Sequence, residues 1–243
     1  MILIIDFGSQ FNQLIARRVR ELHVYCQIEP PGISTADIKA LNPEGIILSG
    51  GPASIYEKNS PKTDPGIFDL GIPVLGICYG MQFMVAGLGG TVQKAGKREY
   101  GFAELEVKKP EGFFEGVKKK STCWMSHGDS ITKLPSGFKA TASTANTKFA
   151  AAAYKKKKLF GVQFHPEVVH TQMGKKILYN FLYNVCGCKR SWTMKSFAKQ
   201  SIENIRAGGR QKSYPGFKRW GGLFGCSRSD SQQHRKKTDL YIC

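Results

Sequence analysis

Residues 73–82 read PVLGICYGMQ, and this stretch decides the fold. An aliphatic strand pattern runs from Pro73 to Ile77, and Met81, Met84 and Leu88 then recur at helical spacing. A strand that turns into a helix at a cysteine, with Gly76 two residues before and Gly80 two after, has the mechanics of a nucleophile elbow. Such a turn is strained, and the glycines give it room while the central side chain is thrown up over the sheet. The helix amino terminus under the sulfur adds a dipole and free N–H groups that favour thiolate over thiol. An isolated cysteine is usually a buried packing residue. The two glycines are what make Cys78 a candidate nucleophile.

The same strand, turn and helix pattern recurs toward the amino terminus. Ile2 to Ile5 ends in Asp6-Phe7-Gly8, after which Leu14, Ile15, Val19 and Leu22 return at helical spacing. Val24 to Ile28 reads as a second strand, and Gly45 to Leu48 as a third that closes on Ser49-Gly50-Gly51-Pro52. Apolar strands alternating with helical segments predict an α/β fold with an open, mostly parallel sheet and helices on both faces. In such sheets, sites lie at the carboxyl ends of the strands. After Gly90 the pattern shifts to a small β-rich extension (Ala103 to Val107, Ala140 to Ser143, Phe149 to Tyr154, Leu159 to Phe164), followed by a helix over Gly174 to Val185. The Asp6-Phe7-Gly8 triplet also marks the magnesium loop of protein kinases, but no glycine-rich loop, paired lysine or catalytic loop precedes it, so it is a decoy.

A nucleophilic thiol needs a base, and the strand containing Gly161 to Phe164 ends in His165-Pro166-Glu167. Pro166 lacks an N–H and fixes its φ, so it ends the strand and aims its two titratable neighbours. Cysteine, histidine and an orienting carboxylate complete the logic of a Cys-His-Glu triad.

Composition narrows the classes further. The 243 residues are 41% hydrophobic, ample for a packed core. The apolar run Met1 to Ile5 is broken by Asp6 and followed by Arg17, Arg18 and Arg20, which fits neither a signal peptide nor a spanning helix and predicts a cytoplasmic protein without membrane partners. Seven scattered cysteines argue against a disulfide framework. Cys186-Gly187-Cys188 lacks a second ligand pair at metal spacing and reads as two incidental thiols, so no metal is expected. The net charge of +18 invites a nucleic-acid reading, but residues 206 to 243 hold nine Lys or Arg against two acids, and so carry +7 of it. Lys155 to Lys158 reads as a solvated hairpin turn. No nucleic-acid partner is expected.

With these residues in place the sequence resembles the class I glutamine amidotransferases, with their GxCxGxQ elbow and terminal HPE, over about 190 residues. Asp6 to Gln10, Ile47 to Pro52, Trp124 to Asp129 and His165 to Thr171 together resemble the GMP synthetase branch, a combination that anthranilate and carbamoyl-phosphate relatives usually lack. The resemblance implies a flavodoxin-like fold and glutamine as substrate. It implies hydrolysis through Cys78, His165 and Glu167, with the backbone N–H groups of Gly51 and Tyr79 as oxyanion hole. Gly50, Gln82, Ser126 and His127 would bind the substrate, and Asp129 would face a synthetase domain. His127 is not the expected base, and Trp124 and Met125 are expected to pack in the core. No cofactor is implied for glutamine hydrolysis. ATP and Mg would belong to an ATP-pyrophosphatase synthetase domain, which supplies the XMP to GMP chemistry. The alternative is an amidotransferase-like module that docks on a synthetase partner with little or no turnover.

The resemblance assigns residues 1–190 to the amidotransferase domain and 191–206 to a connector and the start of the synthetase domain. Beyond Arg206 the expected phosphate loop SGGVDSS is missing. Ser213 to Cys226 admits codons that, read one base later, spell VILALSGGVDSSV, and the only Trp220 codon forces a glycine where the motif needs one. Residues 207–243 are therefore expected to be an out-of-frame, disordered tail. The competing reading is a basic tail that binds nucleic acid.

Overall fold

The computed structural model describes residues 1–193. Four short aliphatic strands, β1 (Ile2–Ile5), β2 (Cys26–Glu29), β3 (Gly45–Leu48) and β4 (Val74–Ile77), alternate with helices α1 (Asn12–Glu21), α2 (Thr35–Leu41) and α3 (Tyr79–Gly87). Every residue of β1, β3 and β4 is buried, as a strand covered on both faces requires. The long β5 (Thr91–Val107) and β6 (Lys120–Lys133) follow, then β7 (Lys139–Ser143), β8 (Ala151–Tyr154), β9 (Leu159–Val162) and α4 (Gly174–Tyr179), which widens into a π-helical turn over Asn180–Val185.

All nine strands form one sheet in the order β2-β1-β3-β4-β9-β8-β7-β5-β6. The pairs from β2 to β9 are parallel, and those from β9 outward are antiparallel. The expected β-rich extension is thus the same sheet carried on in antiparallel form. β9 returns beside β4, and its pairing of Gly76 with Gly161 and Ile77 with Val162 sets His165 at the level of Cys78.

Alternation along the strands divides the core in two. Ile2 and Ile4 face Ile15 and Val19 of α1 and Ile177 and Leu178 of α4, while Leu3 and Ile5 face Ile38 of α2 and Met81, Met84 and Val85 of α3. Each such aliphatic side chain contributes about 1.5–3 kcal/mol on full burial. Helices therefore cover both faces, as the alternating pattern predicts.

The sequence reading passes over α2, although it carries a start signal: Ser34 accepts from the Asp37 N–H at 3.1 Å and donates to the Asp37 carboxylate at 2.7 Å. Lys155–Lys157 forms a 3-10 turn between β8 and β9, so the basic run is a hairpin turn, and Lys157 pairs with Asp69 at 2.9 Å. No helix among the described residues is long and apolar enough to cross a membrane. The connector expected at 191–206 is described only to Thr193, and the tail expected at 207–243 lies outside the described residues.

Candidate active site

The turn at Cys78 is the strained elbow the spacing predicts. Cys78 caps α3 with φ 49° and ψ −106°, a backbone state that costs a non-glycine residue of order 1–3 kcal/mol. Surrounding bonds hold it there: its N–H donates to Val162 O at 2.8 Å, and its O accepts from the Met81 and Gln82 N–H groups at 3.1 Å. The flanking glycines are required by close approach. A Cβ on Gly76 would meet Met81 N at 2.6 Å, and one on Gly80 would meet Leu48 O at 2.4 Å.

Around the sulfur the structure brings together residues from three stretches of chain. His165 is buried, and its Nδ1–H donates to Glu167 Oε1 at 2.7 Å. Burial alone would pull the imidazole pKa down, but hydrogen bonds to Cys78 and Glu167, and the charges of both, push it up to about 10. The Glu167 carboxylate is fully buried, and among the described residues its Oε2 has no hydrogen-bond partner, so the imidazolium is the charge that compensates it. The loop carrying both residues is pinned from outside: the His165 N–H donates to Trp124 O at 3.0 Å, Thr171 Oγ1 to His165 O at 2.6 Å, and Arg18 Nε to Glu167 O at 2.9 Å.

Gly50 belongs to the same cluster. A Cβ there would lie 3.2 Å from His165 Cε1 and 3.7 Å from Cys78 Cβ, so the loop after β3 lines the Cys78 side chain. Gly51 follows against Phe7 and Tyr79. Among the described residues neither the Gly51 nor the Tyr79 N–H has an acceptor, and the Tyr79 N–H opens α3 directly after Cys78. Two unpaired donors next to a thiol are the geometry that an oxyanion hole needs.

The remaining candidates lie on α3 and β6. Ser126 O is 3.5 Å from Cys78 Sγ, so the backbone at this residue faces the reacting atom. Gln82 is buried, and its amide nitrogen donates to Asp129 O at 3.1 Å and to Gln163 Oε1 at 3.2 Å, which leaves Oε1 as the atom it can offer a ligand. His127 spends both ring nitrogens on other partners: its Nδ1–H donates to Asp129 O at 2.9 Å, and its Nε2 lies 3.6 Å from the Glu99 carboxylate. Burial lowers its pKa, against opposing contributions from the Asp129 carbonyl and Glu99. The Asp129 carboxylate accepts from Ser54 Oγ at 2.5 Å.

Trp124 departs from expectation. Met125 is fully buried, but the Trp124 ring is only half-buried and packs with Phe102, at 5.1 Å between centroids, and His170, at 4.7 Å, in a surface cluster. The cause is strand alternation: Met125 faces the core, so its neighbours face out. Sequence reading also missed Arg18, Thr171 and Gln163. Gln163 carried a signal, a polar residue inside the apolar run Leu159 to Phe164. Among the described residues no group of three or more His, Cys, Asp and Glu side chains is placed to hold a metal.

Comparison with known proteins bears on this geometry. The family model "Glutamine amidotransferase class-I" matches residues 3–185. The GMP synthase [glutamine-hydrolyzing] of Heliobacterium modesticaldum is 54% identical over 206 residues, covering 85% of this chain and 40% of that protein. That of Brachyspira hyodysenteriae is 54% identical over 205 residues, again 40% of its length. The chain thus spans about 40% of the curated relatives it matches. A solved structure from Thermoplasma acidophilum, assigned as one subunit of a GMP synthase, is 32% identical, with a TM-score of 0.70 over 83% of this chain and 96% of its own. A glutamine amidotransferase from Thermotoga maritima, 20% identical with a TM-score of 0.56 over 85% of this chain and 91% of its own, shares the fold.

Proposed function

The chain belongs to the class-I glutamine amidotransferase family, and on that premise we propose that it hydrolyses the side-chain amide of glutamine, with Cys78 as nucleophile. The observation that carries this reading is the contact of His165 with both Cys78 and the buried Glu167, at a strained elbow that opens a helix. In the proposed reaction the proton already rests on the charged His165, and Sγ attacks the amide carbon as a thiolate. The oxygen charge that develops meets the N–H groups of Gly51 and Tyr79, and losing one such donor costs about 3 kcal/mol in kcat. The imidazolium protonates the departing nitrogen, ammonia leaves and a γ-glutamyl thioester remains. His165 then takes a proton from water, the resulting hydroxide cleaves the thioester, and Sγ leaves as a thiolate beside the restored imidazolium as glutamate departs. Glu167 keeps Nδ1 protonated and Nε2 facing the reaction. Gly50, Gln82, Ser126 and His127 form the glutamine site, and no cofactor takes part in these steps.

A glutamine-mimicking electrophile is expected to label Cys78 covalently at neutral pH and to leave Cys78→Ala unlabelled, read by peptide mass spectrometry. Wild-type protein that stays unlabelled overturns the reading.

The ammonia serves the amination of XMP to GMP. That step belongs to a synthetase domain or subunit that binds ATP and Mg and docks near Asp129. The names of the longer relatives support this assignment. Residues 207–243 are the product of a displaced reading frame, and the coding DNA beyond the Arg206 codon checks it: codons that cannot spell the phosphate loop one base later overturn the idea.

A further inference from the structure

Gln163 is fully buried in the last turn of chain before the His165 loop, where an apolar residue would be expected. Its N–H donates to Ala150 O at 2.8 Å, which continues the sheet past β9 and aims the side chain at the elbow. There its Nε2 lies 3.5 Å from Cys78 Sγ. We propose that Gln163 is a further catalytic residue, which donates an amide N–H to the Cys78 sulfur and holds it as the attacking thiolate. The assignment rests on the glutaminase reading.

The hydrogen-bond network sets the direction of this donor. Asp129 O can only accept, so the Gln82 atom 3.1 Å from it is the amide nitrogen. The other contact of that nitrogen, at 3.2 Å, must be an acceptor, and this places Oε1 of Gln163 toward Gln82. The nitrogen of Gln163 then faces the sulfur. A flipped amide would set NH₂ against NH₂ and oxygen against sulfur.

The sulfur needs such a partner. Ser126 O, also at 3.5 Å, can only accept and so favours the protonated thiol. Among the described side chains, His165 and Gln163 are those placed to give the sulfur an N–H. His165 has to surrender its proton to the leaving nitrogen during each turnover, whereas an amide keeps its hydrogens throughout. The charged and titratable groups around this centre are His165 and Glu167 beyond β9, His127 and Asp129 on β6, and Glu99 on β5; the first two turns of α3 add Tyr79, whose hydroxyl donates to Pro61 O at 2.7 Å. Gln163 is therefore a neutral, fixed donor among groups that titrate.

The donor role separates from a merely structural one in two variants. Gln163→Glu keeps the shape and the acceptor for Gln82 but turns an oxygen toward Sγ, while Gln163→Met keeps the volume and removes both polar atoms. Iodoacetamide alkylation of Cys78, resolved by peptide mass spectrometry across pH, is expected to slow roughly tenfold at neutral pH in Gln163→Met and further in Gln163→Glu. The pH of half-maximal rate should move up by about one pH unit. A Gln163→Glu variant that alkylates as the wild type does overturns the proposal and leaves Gln163 as a support for Gln82. Wild-type Cys78 inert to alkylation at neutral pH overturns the glutaminase reading instead. A measurement without substitution guards against misfolding: in the wild type, the side-chain amide ¹⁵N–¹H signals of Gln163 should shift on alkylation of Cys78, and unmoved signals count against the bond.

Discussion

His165 and Glu167 meet directly at 2.7 Å beyond β9, whereas His127 and Glu99, cross-strand partners on β6 and β5, stand 3.6 Å apart. All four residues are buried. Burial penalises the charged form of both imidazoles, yet His165 is pushed up to about 10 and His127 is held below the usual histidine value. The contacts explain the difference. His165 spends Nδ1–H on a carboxylate whose other oxygen has no partner among the described residues. His127 spends its Nδ1–H on a neutral carbonyl, and Glu99 is already satisfied by Thr144, at 3.1 and 3.3 Å, and by the Thr147 hydroxyl. A buried histidine beside a glutamate becomes a proton store only where the carboxylate has no better donor. His165 is thus charged at neutral pH, while neutral His127 holds the β6 segment that faces the sulfur.

Breaking the first pair should have the largest effect. Glu167→Gln preserves shape but removes the charge that holds the imidazolium, and kcat for glutamine hydrolysis should fall by roughly 10³–10⁴ in a protein that still folds, as an ammonia-release assay would read. The pH response should then separate the pairs. Because the folded pKa of His165 is raised, its stabilising contribution is complete below about 6.5 and is lost as pH rises through about 10. Activity should fall over the same upper limb, since the acid that protonates the leaving nitrogen disappears. His127 works in the opposite sense: its folded pKa is lowered, so its contribution is complete above about 6.5 and is lost as pH falls below that. Histidine ring resonances followed by NMR from pH 5 to 11 should show His165 titrating near the top and His127 neutral above pH 6.5; the reverse order would undo the comparison.

Smaller effects are expected at the second pair. His127→Gln removes the ring bond to Asp129 O and loosens the backbone facing the substrate, so KM for glutamine should rise about three- to tenfold with kcat changed less, measured by steady-state kinetics. Thr147→Val leaves a Glu99 oxygen short of its donor and should cost about 1–3 kcal/mol in chemical denaturation, with kcat within about twofold. A large loss of kcat in Thr147→Val would mean that the second pair also serves the chemistry.

Much of this centre was legible in the chain because the local demands are strict. Gly76 and Gly80 leave no space for a Cβ against Met81 N and Leu48 O, so the elbow announces itself by its glycines. β1, β3 and β4 were legible because strands buried on both faces have to be continuously apolar. β5 and β6 were legible only in fragments. They carry charges on exposed positions, and β5 breaks register between Lys94 and Glu99, which interrupts the alternation that reveals a strand. The Trp124 environment was misjudged for a related reason: an aromatic ring on an antiparallel strand belongs to whichever face the register gives it, and register is set by partners elsewhere in the chain.

The sequence by itself determined the parallel α/β core, the strained turn that presents Cys78 and the His165-Pro166-Glu167 run that ends a strand. Each of these follows from local sterics or from the period of burial. Tertiary structure alone decided that β9 returns beside β4, so that His165 reaches the sulfur from 87 positions away, and that Gln163 turns its amide on the same atom. It also decided which buried histidine carries charge. That outcome depends on which donors already satisfy each carboxylate, and those donors come from strands and loops far apart in the chain.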